Sequence, residues 1–191
     1  MFDVVKSDEF LGRVSEFLTG NRTAVQAQRQ LAVILFTDIA HSTDRVMTLG
    51  DDAWRSLLGN FRMTITSVLD RYGATEVNTR GDDVLVIAPT PTIAVNVARA
   101  IRESAAGLGL AVRSGLHLGE IDRLDKDIAG MSVHIAARIG ELAEPAEILL
   151  SQTVRDALIG SRFELRAKGT HHLKGVPGDW LVYAVDDERE R

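Results

Sequence analysis

The plainest pattern in the chain is the unbroken apolar run from Leu31 to Thr37, of the length of a strand buried on both faces. Ahead of it, Phe10, Leu11, Val14, Phe17 and Leu18 recur at helical spacing, with Ser7 placed to cap and Gly20 to stop a short amphipathic helix. The polar stretch Asn21 to Gln30 offers no apolar face and reads as a linker. A globular domain is therefore expected over residues 31–186, after an N-terminal helix and linker (1–30) and before a charged tail (187–191). A helical pattern follows from about Asp44 to Tyr72, with Gly50 and Gly59 as points of interruption. Thr75 to Thr79 and Val84 to Ala88 are β-prone runs flanking Arg80-Gly81-Asp82-Asp83, which predicts a hairpin. Beyond it the pattern predicts a helix over Pro91 to Ala106, a strand over Ala111 to Leu118 and a helix over Ile128 to Ala143. A short strand at Ile148 to Leu150, a short helix at Thr153 to Leu158 and strands at Arg162 to Arg166 and Trp180 to Val185 complete it. Mixed crossovers and hairpins imply an α/β (α+β) sandwich with helices packed on a mixed sheet.

Composition narrows the function classes. With 191 residues, 45% of them hydrophobic, the chain suits one sizeable core rather than two domains. The absence of cysteine removes disulfides and thiolate metal sites. The longest apolar run is far below the roughly 18–20 residues that span a bilayer, and no signal-peptide core stands at the N-terminus, so a cytoplasmic protein without membrane insertion is expected. A net charge of −5 argues against a surface that coats nucleic acid, though a local basic cleft can still hold a triphosphate.

Candidate chemistry sits at two aspartates. Asp38 follows the apolar run and Asp82 stands at the hairpin tip; if the strands are neighbours, their carboxylates converge. Two such oxygens, with backbone carbonyls and phosphate oxygens, suit Mg²⁺ or Mn²⁺. An aspartate after a strand also caps helices, and one in a hairpin also serves turns, so at this level both readings stand.

The wider pattern adds to this. Phe36-Thr37-Asp38-Ile39, Ser42-Thr43, Glu76-Val77-Asn78-Thr79, Gly81-Asp82, Gly115-Leu116-His117-Leu118-Gly119-Glu120, Asp127-Ile128-Ala129-Gly130, Val133-His134-Ile135-Ala136-Ala137-Arg138 and Leu173-Lys174-Gly175-Val176-Pro177-Gly178 stand in one order. Together they resemble the class III adenylyl and guanylyl cyclase catalytic domain, most of all its actinobacterial, mycobacterial-like branch, from about Leu31 to Val185.

The resemblance implies a ferredoxin-like α/β fold, a head-to-tail homodimer with shared active sites, and conversion of ATP to cyclic AMP and pyrophosphate. It implies two metal ions per site, Mg²⁺ or Mn²⁺, held by Asp38 and Asp82 with help from the Ile39 carbonyl. Backbone amides around His41, Ser42 and Thr43 would cradle phosphate. The partner copy would supply Asp127 to the adenine amino group, Arg138 to the α-phosphate and Lys174 to the triphosphate tail.

Three positions depart from the family pattern. Asn78 replaces the lysine that reads the purine, keeping a donor and an acceptor but no charge. His134 replaces the asparagine that assists the transition state, and either donates to ribose or phosphate or packs. His41 stands where relatives usually have glycine, so its side chain is expected to crowd the phosphate turn. Asp83 reads either as a carboxylate supporting the metal ligands or as a plain turn residue, the turn being the preferred reading, and His117, His171 and His172 show no metal-binding spacing. Glu16-Phe17-Leu18-Thr19-Gly20 also resembles the last helix of a hydrolase domain in hydrolase-cyclase fusions. Three alternatives stay open: a catalytically weak or inactive cyclase-homology domain that binds nucleotide and regulates, a guanylate cyclase, and a palm-type polymerase fragment. The last has too short a chain and too acidic a balance for a primer-template groove.

Overall fold

The computed structural model describes residues 28–124 and 127–186; the expected N-terminal helix and the charged tail lie outside them. In chain order the elements are β1 (Gln28–Ile39), α1 (Ser42–Leu49), α2 (Asp51–Tyr72), β2 (Thr75–Arg80), β3 (Asp83–Ala88), α3 (Pro91–Gly107) and β4 (Val112–Leu124). They continue with β5 (Asp127–Ala129), α4 (Met131–Glu141), β6 (Ile148–Ser151), α5 (Gln152–Ala157), β7 (Leu165–His172) and β8 (Asp179–Val185). The sheet runs β2-β3-β1-β4-β6-β8-β7, with β5 added to β4. Its β4–β6 pair is parallel, while β1 pairs antiparallel with both β3 and β4, so the sheet is mixed, as the crossovers predict.

The apolar run forms the central strand because both its faces are covered. Val33, Leu35 and Ile39 point to the main core, against Phe61 and Ile65 of α2 and Val97 and Ile101 of α3. Ala32 and Ile34 point the other way, into a cluster with Ala136 of α4. This alternation puts Asp38 on the α4 face. Helix α3 starts where Thr90 Oγ1 accepts from the Ile93 amide at 3.2 Å, with proline inside the first turn.

Several boundaries differ from the pattern-based expectation. Strand β1 begins at Gln28, within the stretch read as linker, because β4 runs on to Leu124 and pairs it, Gln28 opposite Arg123. Gly50 separates α1 from α2, but Gly59 lies inside α2 without breaking it. The expected helix from Ile128 starts only at Met131: Ile128 and Ala129 belong to β5, and Gly130 at φ 128 makes the change of direction. Strand β7 lies later than expected, at Leu165–His172.

Helix α4 rests directly on β4. A Cβ added to Gly115 would stand 2.2 Å from both the Ala136 carbonyl oxygen and the Gly140 nitrogen, so the two backbones meet where side chains are absent.

Beside this contact, buried His117 closes a polar chain. Thr153 Oγ1 donates to the Leu118 carbonyl at 2.9 Å, which leaves Ser151 to donate to Thr153 at 2.9 Å and His117 Nδ1–H to donate to Ser151 at 2.9 Å. Trp180 covers the ring edge-on at a centroid distance of 5.6 Å. Burial depresses the His117 pKa from 6.5 to about 4. The unfolded chain therefore binds a proton here that the folded chain refuses, and this histidine's part of the stability is lost as pH falls from about 6.5 towards 4. Melting curves at pH 7 and pH 5 should show a smaller acid-induced loss in His117→Asn than in the unsubstituted protein; equal losses would refute the assignment.

Candidate metal and nucleotide site

The end of the central strand and the hairpin beside it bring acidic side chains together. Asp38 stands opposite Arg113 of β4 in the register, and both Arg113 Nε and Nη2 donate to Asp38 Oδ2, at 2.9 and 2.6 Å. On the other side of β1, the pairing of Thr37 with Val84 sets Asp83, the first residue of β3, beside Asp38. Asp82 sits in the turn just before it. One carboxylate oxygen from each of Asp38, Asp82 and Asp83 lies within 4.8 Å of the others.

The charges in this cluster do not balance within themselves. Partial burial, then the negative charges of Asp38 and Asp82, raise Asp83 from 3.8 to about 6; its hydrogen bond with Asp38 acts the same way, and Arg113 opposes. A hard divalent cation fits such a donor set: the ligands are oxygens, their charges repel without a counterion, and Arg113 engages Asp38 through Oδ2 alone.

A cleft of about 260 Å³ opens next to the cluster, lined by Ser42 and Thr43 at the start of α1, Trp54 and Leu58 of α2, and Gly81 and Asp82 of the hairpin. Amides at a helix start with no internal partner are donors suited to an anion. His41 precedes them with φ 58 and ψ 34, a left-handed conformation that glycine adopts more easily. Its imidazole is 71% exposed and reaches towards Asp44, 4.0 Å away, instead of capping the helix.

The other expected residues fall elsewhere in the protomer. Ile39 ends β1, buried, opposite Val112. Asn78 lies in β2 opposite Leu85, just after a bulge, and Asp127 opens β5 opposite Leu124. His134 and Arg138 are carried by α4; Arg138 is bound at both oxygens of Glu141, which holds its guanidinium firmly protonated. Lys174 is exposed in the turn between β7 and β8. None of His134, Arg138 and Lys174 lines the cleft beside Asp82.

Sequence reasoning missed Arg113 and, for Asp83, preferred a turn residue over the supporting carboxylate that it also offered. Asp83 had a readable signal: in β3 the buried positions are Val84, Val86 and Ala88, so Asp83 shares the opposite face with Leu85 and Ile87, the face of Asp38. Arg113 had none, since it meets Asp38 across strands 75 residues apart.

Comparisons with known proteins identify the family. Residues 25–187 match the family model described as the adenylate and guanylate cyclase catalytic domain. An uncharacterised protein of Mycobacterium tuberculosis is 29% identical over 154 residues, which are 80% of this chain and 40% of that protein. An adenylate cyclase of Glutamicibacter nicotianae is 27% identical over 153 residues, 78% of this chain and 38% of its own length. The chain thus spans about two fifths of these curated relatives. Among solved structures, the adenylyl cyclase CyaB of P. aeruginosa superposes with a TM-score of 0.79 at 25% identity, covering 85% of this chain and 96% of that one. The guanylate cyclase domain of a Catenaria anguillulae protein, solved with GTP, shares the fold at a TM-score of 0.76 and 21% identity, covering 85% and 100%. By the family match over residues 25–187, and in keeping with the fold it shares with a solved adenylyl cyclase, this chain belongs to the adenylate and guanylate cyclase catalytic domain family.

Proposed function

We propose that the chain is an adenylate cyclase domain, converting ATP to 3′,5′-cyclic AMP and pyrophosphate at sites shared by two copies arranged head to tail. The observation that carries this reading is the gathering of Asp38, Asp82 and Asp83 beside the cleft at the start of α1, with the basic residues of the resemblance held apart from it. Two divalent cations, Mg²⁺ or Mn²⁺, when bound supply acidity at the ribose 3′-hydroxyl and screen the triphosphate. Asp38 and Asp82, with the Ile39 carbonyl, would hold them. The amides around His41, Ser42 and Thr43 cradle the phosphates. In the reaction the ribose 3′-hydroxyl gives up its proton to water, its oxygen bonds to the α-phosphorus, the bond from that phosphorus to the bridging oxygen breaks, and pyrophosphate leaves with the electron pair.

The second copy completes the site in this reading. Its Arg138 presents a fixed fork of donors to the α-phosphate and stays charged at any working pH. His134 donates to ribose or phosphate, Lys174 meets the triphosphate tail, and Asp127 with Asn78 reads the purine. A supply of ATP places the reaction in the cytoplasm. Among the described residues no helix is long and apolar enough to cross a membrane.

Parallel turnover of ATP and GTP with Mn²⁺ tests the proposal: cyclic AMP as the main product supports it, cyclic GMP in excess makes the domain a guanylate cyclase, and no product makes it a regulatory module. Asn78→Lys is expected to change the ratio of ATP to GTP turnover, because a charge enters where the purine is read. An unchanged ratio with unchanged nucleotide affinity would remove Asn78 from the base site.

A further inference from the structure

We propose that Arg62 of α2 is a positioning residue for Asp82: by gripping the Gly81 carbonyl, it fixes the peptide that joins Gly81 to Asp82 and so the direction of the Asp82 carboxylate. The inference rests on the reading of Asp38 and Asp82 as metal ligands and adds a residue that touches neither.

The hairpin tip explains why such a grip matters. Arg80 pairs with Asp83, which leaves Gly81 and Asp82 as the whole turn. Gly81 has φ 67 and Asp82 is not among the residues with positive φ, the signature of a type II′ turn with glycine first. Rotating the central peptide would convert it to type I′, which needs positive φ at the second position. Aspartate tolerates that conformation better than most side chains. The two turns are thus near neighbours, and passage between them would re-aim Asp82 without unpairing a single strand bond.

The atom that swings in this rotation is the Gly81 carbonyl oxygen, and Arg62 Nη2 donates to it at 2.5 Å. The guanidinium comes from a firm base. Trp54, Leu58 and Arg62 follow at four-residue spacing on one face of α2; the first two line the cleft with Gly81 and Asp82. Phe61 and Ile65, on the adjoining face, are buried in the main core. Asp38 and Asp82 thereby each have an arginine: Arg113 holds Asp38 by the carboxylate, and Arg62 holds Asp82 through the backbone.

The test is Mn²⁺ binding to the nucleotide-free 191-residue chain, followed by electron paramagnetic resonance, for the unsubstituted protein, Arg62→Met, Arg62→Lys and Asp82→Asn. Losing one charge-assisted hydrogen bond should weaken Mn²⁺ binding about tenfold in Arg62→Met, with Arg62→Lys in between. The same variant should need about tenfold more Mn²⁺ for half-maximal turnover yet approach normal kcat at saturation, with an unaltered melting temperature. Normal Mn²⁺ binding in Arg62→Met beside lost binding in Asp82→Asn overturns the inference and leaves the metal reading standing. A lowered kcat and melting temperature at every Mn²⁺ concentration, with unchanged affinity, overturns it too, since the role would then be structural. Unchanged binding in Asp82→Asn removes the metal reading and this inference together.

Discussion

Equal mixtures of Asp38→Ala and Arg138→Ala chains are expected to regain about a quarter of normal cyclase turnover, although each variant alone should fall by roughly 10²- to 10³-fold. Alone, every site in the first homodimer lacks a metal ligand, and every site in the second lacks the arginine that meets the α-phosphate. In a mixed dimer one site collects both defects. The other receives Asp38 from the arginine variant and Arg138 from the aspartate variant, and is whole. Random exchange makes about half of the dimers mixed, each with one good site of two. The geometry of the single protomer motivates the experiment: Asp38 joins the acidic cluster, while Arg138 is carried by α4 and donates through Nη1 to Glu141 of its own helix. A mixture that regains nothing, with subunit exchange shown independently, would rule out sharing.

How much of the fold and site is legible in the sequence depends on whether the deciding contact is local. The buried run at Leu31 to Thr37 and the glycine-bearing hairpin carry their own signals, whereas the two aspartates at their ends stand out as metal ligands only through the family resemblance. Gly59 misleads because an interior glycine costs only about 1 kcal/mol relative to alanine, too little to break the 22-residue helix α2. Ile128 misleads because its spacing to Met131 and Ile135 fits a helix, whereas β4 takes it as a strand partner opposite Arg123. Leu165–His172 lies at the sheet edge with only every third residue partly covered, so it lacks the alternation that marks a half-buried strand. Gln28 to Gln30 become strand for a similar reason, since β4 supplies hydrogen bonds to a segment with no apolar face. At the site, Arg62 and Arg113 are beyond sequence reasoning, because each acts on a group brought close only by the fold.

Gly115→Ala should be among the most damaging single-methyl changes in the domain. The added carbon would stand 2.2 Å from two backbone atoms of α4, the Ala136 carbonyl oxygen and the Gly140 nitrogen, and backbone cannot rotate away as a side chain can. Either α4 lifts from the sheet or β4 bends, at a cost of about 1–3 kcal/mol, which lowers the melting temperature by roughly 2–4 °C per kcal/mol in a domain of this size. Two other glycines calibrate the result. Gly140 faces the same contact, but its added carbon would meet the Gly115 nitrogen and Phe36 Cδ1 at 3.2 Å, so Gly140→Ala should cost less. Gly59 has open space around the position, so Gly59→Ala should stabilise the protein by about 0.5–1 kcal/mol through helix propensity. The functional consequence follows from what α4 carries. A lifted helix moves His134 and Arg138, while Asp38, Asp82 and Asp83 belong to β1 and the hairpin. Gly115→Ala should therefore lower turnover well beyond its effect on Mn²⁺ binding to the free protein. Losing both in proportion would mean that the damage spreads through the sheet; losing neither would mean that α4 does not set the reaction.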